Sequence, residues 1–379
     1  MQARKKVMIV AGEASGEMYG ARIAAGLRAL LPDVELFGMG GDCMRREGVD
    51  TLVDANVMAV MGIVEVVAHL PTIAKGFTTL KKRLLNDPPD LVICIDYPDF
   101  NLRLGKVAKD AGIKVLHFVS PTIWAWRPGR IHGIGRAINR MAVLFPFEVP
   151  YYERAGIPVS FVGHPLLDMV HPTMGKDEAV RSFGLDPSRR TLGLFPGSRK
   201  SVLKRLLPVV LESARQLKGR FPGLQFLLPL ASSLREADLA PYLDGCGLEI
   251  KVVSGRNYDL MVACDAAISV SGTVIMELAL VGVPMVLIYK VPWLNYEIGK
   301  RVINVDHIGI CNIVAEKRVV QELIQHEAEP PRIVAEIERI LNDPVYNAKM
   351  RAELAEVRVR LGSGGALERL AKVAAEMLQ

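Results

Sequence analysis

The apolar run 91–95 ends in Asp96, Tyr97, Pro98, Asp99, Phe100 and Asn101. A carboxylate just past a buried strand, Asp96 or Asp99, could take a proton from an attacking hydroxyl. The same residues would also suit a bare turn, where Asp and Asn bond locally to the backbone. The run 7–11 ends in Gly12, Glu13, Ser15 and Gly16, with Gly20 four residues on. This GxxxGxxxG spacing differs from the GxGxxG of a dinucleotide-binding loop. It can still bring backbone N–H groups at a helix start close to a ligand. Glu13 and Ser15 are costly choices for a tight turn alone, and Glu13 is a further candidate base.

The second half carries anion chemistry. Run 192–195 leads into Pro196, Gly197, Ser198 and Arg199. Gly197 permits close backbone approach, Ser198 can cap a helix, and the Arg199 fork matches phosphate oxygens. The alternative is a capped helix with a solvated arginine. Run 266–269 leads into the small-residue turn Ser271, Gly272, Thr273, and then Glu277. Amides at the start of that helix can hold a phosphate. Glu277 can accept hydrogen bonds from the vicinal hydroxyls of a ribose, or simply favour a helix N-terminus. Trp124 and Trp126 precede Arg127, Arg130, His132, Arg136 and Arg140. Aromatics with cations suit a sugar bearing a phosphate, although a solvated basic helix reads the same way. The histidines show no zinc-ligand spacing, and neither a GxSxG elbow nor a Cys–His motif occurs.

These residues need elements to position them. Short apolar runs at 7–11, 34–38, 91–95, 115–119, 141–145 and 159–162 alternate with helical patterns such as 16–31, 80–85 and 102–111. The alternation restarts with runs at 192–195, 225–229, 249–253, 266–269 and 285–289. It is the signature of parallel βαβ units. Two doubly wound α/β domains are expected, meeting near residues 165–175 and facing a cleft, with ligands beyond the carboxyl ends of strands.

The chain has 379 residues, enough for two cores, and is 50% hydrophobic and 23% charged, which excludes disorder. Its formal charge of +6 suits anionic ligands but does not indicate a nucleic-acid binder. The five cysteines are odd in number and form no CxxC pair, so reduced thiols in a cytosolic compartment are expected. The basic start is read as leading into a first strand, since its apolar part is too short for a signal peptide. The segment 57–85 is apolar to residue 68 except for Glu65, then carries Lys75, Lys81, Lys82 and Arg83. Pro71 and Gly76 break it. It is too short to span a bilayer, but it could lie on an anionic membrane surface or pack as a buried helix.

Taken together, GEASGE, VMGIVEV, IDYPDFN, SPTIWAWR, LFPFE, FVGHPLLD, LFPGSR and SGTVIMELAL resemble the lipid-A-disaccharide synthase family, in order over nearly the whole chain. The resemblance implies a GT-B fold, with residues 1–168 binding the acceptor and 169–350 the UDP-sugar. Residues 351–379 would form a helix returning to the first domain. It implies inverting transfer from UDP-2,3-diacylglucosamine to 2,3-diacylglucosamine 1-phosphate, without cofactor or metal. It also implies a cytoplasmic enzyme attached peripherally to a Gram-negative inner membrane through about 57–85, with a homodimer as a further candidate assembly. On the family pattern Asp96, Asp99 and Glu13 are the catalytic candidates. Gly197, Ser198, Arg199, Ser271, Gly272, Thr273, Glu277 and Asn312 would bind the donor. Ser15, Gly16, Asn101, Trp124 and Arg127 would bind the acceptor. The chain departs from the pattern at Glu17 (Asp in the family), at Tyr97 (Ala) and before Asn312, where the family's Pro is absent. A UDP-sugar epimerase on the same fold, or a lipid- or nucleotide-binding protein without turnover, are the competing readings.

Overall fold

A computed structural model describes residues 4–58, 63–126, 128–302 and 305–379. Contacts divide the chain into two units, Met1–Pro165 with Leu361–Gln379, and Leu166–Arg360.

The first unit holds seven strands: β1 (Lys6–Ala11), β2 (Glu35–Gly40), β3 (Asp50–Asp54), β4 (Leu91–Ile95), β5 (Lys114–Phe118), β6 (Arg140–Val143) and β7 (Val159–Phe161). All pair in parallel in the order β3-β2-β1-β4-β5-β6-β7. Its helices include α1 (Ala14–Leu30), α2 (Asp42–Arg46), α3 (Ile63–Asn86), α4 (Pro98–Asp110) and α5 (Ile131–Ala137). β1 after Lys6, and β4 throughout, are apolar because both faces of a parallel sheet are covered. Val7, Ile9, Leu91 and Ile93 point to one core, with Ile23 and Leu27 of α1. Met8, Val10, Val92 and Cys94 point to the other, with Leu80 and Leu84 of α3 and Leu104 of α4. From β1 the chain winds outward to β3, then crosses back to β4 and winds the other way. The winding therefore reverses between β1 and β4.

The second unit repeats this plan. It has six parallel strands, β8 (Thr191–Phe195), β9 (Gln225–Leu230), β10 (Ile250–Ser254), β11 (Ala266–Val270), β12 (Met285–Tyr289) and β13 (Gln321–Ile324). They run in the order β10-β9-β8-β11-β12-β13, reversing between β8 and β11. Helix α6 (Lys200–Arg220) follows β8, α7 (Thr273–Val281) follows β11, and α8 (Ile310–Ala315) precedes β13. Helix α9 (Pro344–Arg360) packs on α7 and α8. At Leu361 the chain returns to the first unit, where α10 (Ala366–Met377) lies on α1. A Cβ built on Gly26 of α1 would sit 2.8 Å from the Ala371 Cβ, so the absence of a side chain sets how closely these helices approach.

Two strands, β3 and β13, carry no strand signal in the sequence. Both are sheet edges, and their polar residues Asp50, Asp54 and Glu322 mask the apolar alternation. All five cysteines are free. Among the described residues, no helix is long and apolar enough to cross a membrane.

Candidate active site

Open α/β sheets bind ligands beyond the carboxyl ends of strands where the winding reverses. In the first unit that point is the pair β1–β4, and Gly12–Glu13 and Asp96–Tyr97 leave these two strands. Asp96 and Tyr97 both have left-handed backbone, with φ of 49° and 46°. Such a conformation costs a residue with a side chain about 1–2 kcal/mol, and here two occur in succession. The surroundings fix it. The Asp96 N–H donates to the Phe118 carbonyl at 2.9 Å. The buried Asn101 amide donates to the carbonyls of Asp96 at 2.7 Å and Ile95 at 3.1 Å. Pro98 begins α4 at the position where proline's missing N–H costs nothing.

The family resemblance places Asn101 at the acceptor. It lies instead inside the first turn of α4, fully buried, and its amide holds the strained turn. The Asp96 carboxyl is pushed above the usual range, chiefly by burial, with the Tyr97 N–H acting against it. Asp99 is placed differently: its side chain is 84% exposed and is ion-paired with Arg130 at 2.8 Å.

Glu13 takes the N-cap position of α1. Its charge adds to burial in raising the Tyr97 phenol. Ser15 is exposed on the first turn, while Gly16 is buried, with a Cβ built there 3.4 Å from the Ile95 side chain. Glu17 accepts from the N–H groups of Cys43 at 2.6 Å and Met44 at 3.3 Å, so the carboxylate at the departed position caps the following loop–helix junction.

Beyond β5, β6 and β7 lies a polar cluster that sequence reasoning passed over. Ser120 and Tyr152 hydroxyls meet at 2.6 Å. Glu148 is buried and accepts from the Phe145 N–H at 3.2 Å. Burial pushes its carboxyl up to about 7 and pushes His164 down to about 4. The available signal was an acid closing an apolar run, as in LFPFE. Trp124 lies beside this cluster, edge-on to Phe147 with centroids 5.1 Å apart. Arg127 lies outside the described residues.

In the second unit the reversal point, β8–β11, carries a cavity of about 360 Å³. Gly197, Ser198, Arg199, Ser271, Gly272, Thr273 and Glu277 all line it. Gly197 has φ of 99°, and a Cβ there would press on Val202 and Val270 at 3.1 Å. Arg199 is exposed and, among the described residues, its side chain makes no ion pair or hydrogen bond. It also occupies the N-cap of α6, so Ser198 sits one residue too early to be the cap. Gly272 is the N-cap of α7, and Thr273 and Val274 begin the helix with amides that have no intrahelical acceptor. Glu277 is raised by burial and accepts from the Tyr258 hydroxyl at 3.3 Å.

One expectation fails on placement, that of Asn312, and the segment 57–85 is divided between its two readings. Asn312 is fully buried, and its side-chain oxygen accepts from Val319 and Val320 at 2.8 and 2.9 Å. Its amide donates to Val320 and Glu322. This side chain has no capacity left for a donor and serves the fold. Within 57–85, Met58, Leu80 and Leu84 are core, and Arg83 is engaged by Asp87 and Glu35. Residues 59–62 lie outside the described residues, as do the side chains of Val66 and Val67. Leu70 and Leu85 are 52% and 47% exposed, and Lys75, Lys81 and Lys82 face solvent. Among the described residues no cluster of His, Cys, Asp and Glu is placed to hold a metal.

The family model described as lipid-A-disaccharide synthetase matches residues 7–372. The lipid-A-disaccharide synthase of Geobacter sulfurreducens is 59% identical over 373 residues, covering 98% of this chain and 97% of that protein. Among solved structures, the glycotransferase of kitacinnamycin aligns with a TM-score of 0.66 at 13% identity, covering 99% of this chain and 100% of that one. The UDP-GlcNAc 2-epimerase from Neisseria meningitidis, solved with UDP-GlcNAc, aligns with a TM-score of 0.65 at 13% identity, covering 98% and 100%. These two speak to the fold alone, a pair of doubly wound α/β domains of the GT-B type.

Proposed function

The chain belongs to the lipid-A-disaccharide synthetase family, and on that premise we propose that it joins UDP-2,3-diacylglucosamine to 2,3-diacylglucosamine 1-phosphate. The products are the β(1→6) disaccharide 1-phosphate and UDP. The observation that carries the reading is that each sheet has its site residues at its own reversal point.

The acceptor's 6-hydroxyl is a poor nucleophile at neutral pH. Asp96 takes its proton as the oxygen attacks C1 of the donor sugar, the bond from C1 to the UDP oxygen breaks, and the anomeric centre inverts. A carboxylate raised by burial is a better base than a solvated one, which favours Asp96 over Asp99. UDP departs with growing negative charge. Arg199 and the first amides of α7 meet that charge, and Glu277 receives the ribose hydroxyls. Losing one such contact typically costs about 2–4 kcal/mol of barrier. Attachment to the membrane surface that holds both lipids belongs to the same proposal and rests on the exposed Leu70 and the lysines of α3.

The test is to incubate the protein with both substrates and measure UDP against disaccharide. The reading expects equal amounts of the two. An epimerase would interconvert the donor with little free UDP, and a binder would release none.

A further inference from the structure

We propose that the groove between α4 and α5 binds the phosphate group of a lipid, with Arg103 and Arg136 as its phosphate ligands, and that the acceptor's 1-phosphate is the occupant. The identity of the occupant rests on the function proposed above. The groove has a volume of about 490 Å³, room for a sugar phosphate, and Arg103, Lys106, Arg130, His132 and Arg136 converge on it.

Charge pairing within the groove is uneven. Lys106 is paired with Asp110 at 2.7 Å, and Arg130 with Asp99 at 2.8 Å. Among the described residues, the side chains of Arg103 and Arg136 have neither an ion pair nor a hydrogen bond. They come from different helices, so helical spacing alone does not bring them together. A concave wall concentrates their field, and two guanidinium forks suit the oxygens of a doubly charged phosphate. A Cβ on Gly129 or Gly133 would meet no atom within 4 Å, so the groove is also open where these glycines line it.

Position selects the occupant. Pro98 and Asp99, at the start of α4, form one end of the groove. Asp96 stands just before them in the strained turn. C1 and C5 of the acceptor are both bonded to the ring oxygen, so its 1-phosphate lies within about a ring's width of its 6-hydroxyl, and a phosphate site beside the turn that carries the base meets that requirement. A phospholipid headgroup offers the same chemistry and is the alternative source.

The test compares wild type with Arg103→Ala/Arg136→Ala and with Gly133→Leu, which fills the groove while keeping both arginines. Both lipids are dispersed in detergent, and the acceptor is supplied with and without its phosphate. Direct binding of each acceptor is measured alongside turnover. The double variant should bind the phosphorylated acceptor about 10- to 100-fold more weakly, with UDP affinity and melting temperature unchanged. Gly133→Leu should show a similar loss. The acceptor lacking phosphate should bind wild type and variants alike. Unchanged affinity for the phosphorylated acceptor, or an equal loss for both acceptors, overturns the proposal. If the variants lose only their binding to anionic phospholipid vesicles, the headgroup is the ligand and the acceptor assignment is wrong. If wild type prefers the phosphorylated lipid yet releases no UDP, the groove stands and the transferase reading fails.

Discussion

A Cβ built on Gly12 would lie 2.5 Å from the Tyr97 ring, closer than any real contact. The glycine after β1 thus makes room for the aromatic residue after β4, and both flank the proposed base. Gly12→Ala should destabilise the first unit by about 1–3 kcal/mol through overpacking and displace Asp96, lowering kcat. Tyr97→Ala in the same chain should restore most of the melting temperature. If the two losses simply add, the rings are not coupled through this contact. Glu148 makes a second residue-scale prediction. Its folded carboxyl holds a proton up to about pH 7 against an ordinary 4.5, so between those values the folded chain binds more protons than the unfolded. Its contribution to stability therefore falls as pH rises through that window, on the order of 3 kcal/mol in all. His117 and His164, held neutral down to about 4, act in the opposite sense: their contribution rises with pH between about 4 and 6.5. Glu148→Gln isolates the acid. Its melting temperature relative to wild type should climb from pH 5 to pH 8, and a flat difference would remove Glu148 as the titrating group.

Among the elements, α3 is divided in use. Leu80 and Leu84 on its C-terminal half belong to the core, while Leu70 and three lysines face solvent. A membrane contact would therefore use Leu70 and these lysines, away from the face that Leu80 and Leu84 bury. Val66→Ser, Val67→Ser and Leu70→Ser together should move the protein from vesicle-bound to free without lowering its melting temperature. Unfolding would mean that these side chains are core. The strands that hold the site were legible because buried parallel strands are apolar without interruption, as 7–11 and 91–95 are, and because Gly, Pro and Asp mark their ends. β3 and β13 were not, since Asp50 is exposed at a sheet edge and Glu322 is buried but satisfied by the N–H groups of Ile308 and Gly309. The site was legible as residue types after strands, and less so as contacts. Asn101 and Asn312 read as ligands because an amide past a turn suits either a substrate or a backbone carbonyl. Only burial separates the two, and sequence does not record burial for a single polar residue. Glu148 escaped for the converse reason, a polar residue whose meaning comes from three strand ends meeting over it.

For the molecule as a whole, each unit winds its sheet outward from a central pair and so has one place where loops diverge. The polar residues that stood out in the sequence gather at these two places, Glu13 and Asp96 at one, Arg199 and Glu277 at the other. The central claim is that the first supplies the base and the second holds the departing nucleotide, so the two functions separate by mutation. Arg199→Ala should lower turnover roughly 30- to 1,000-fold, and Glu277→Ala should mainly weaken UDP binding. The most direct measurement is kcat for disaccharide formation together with UDP affinity by calorimetry, on Asp96→Asn beside Asp99→Asn. Asp96→Asn keeps the shape of the side chain and removes its basicity. The account predicts a fall in kcat of about 10²- to 10⁴-fold with UDP affinity unchanged, and a much smaller effect for Asp99→Asn. Full turnover by Asp96→Asn with a dead Asp99→Asn would contradict it.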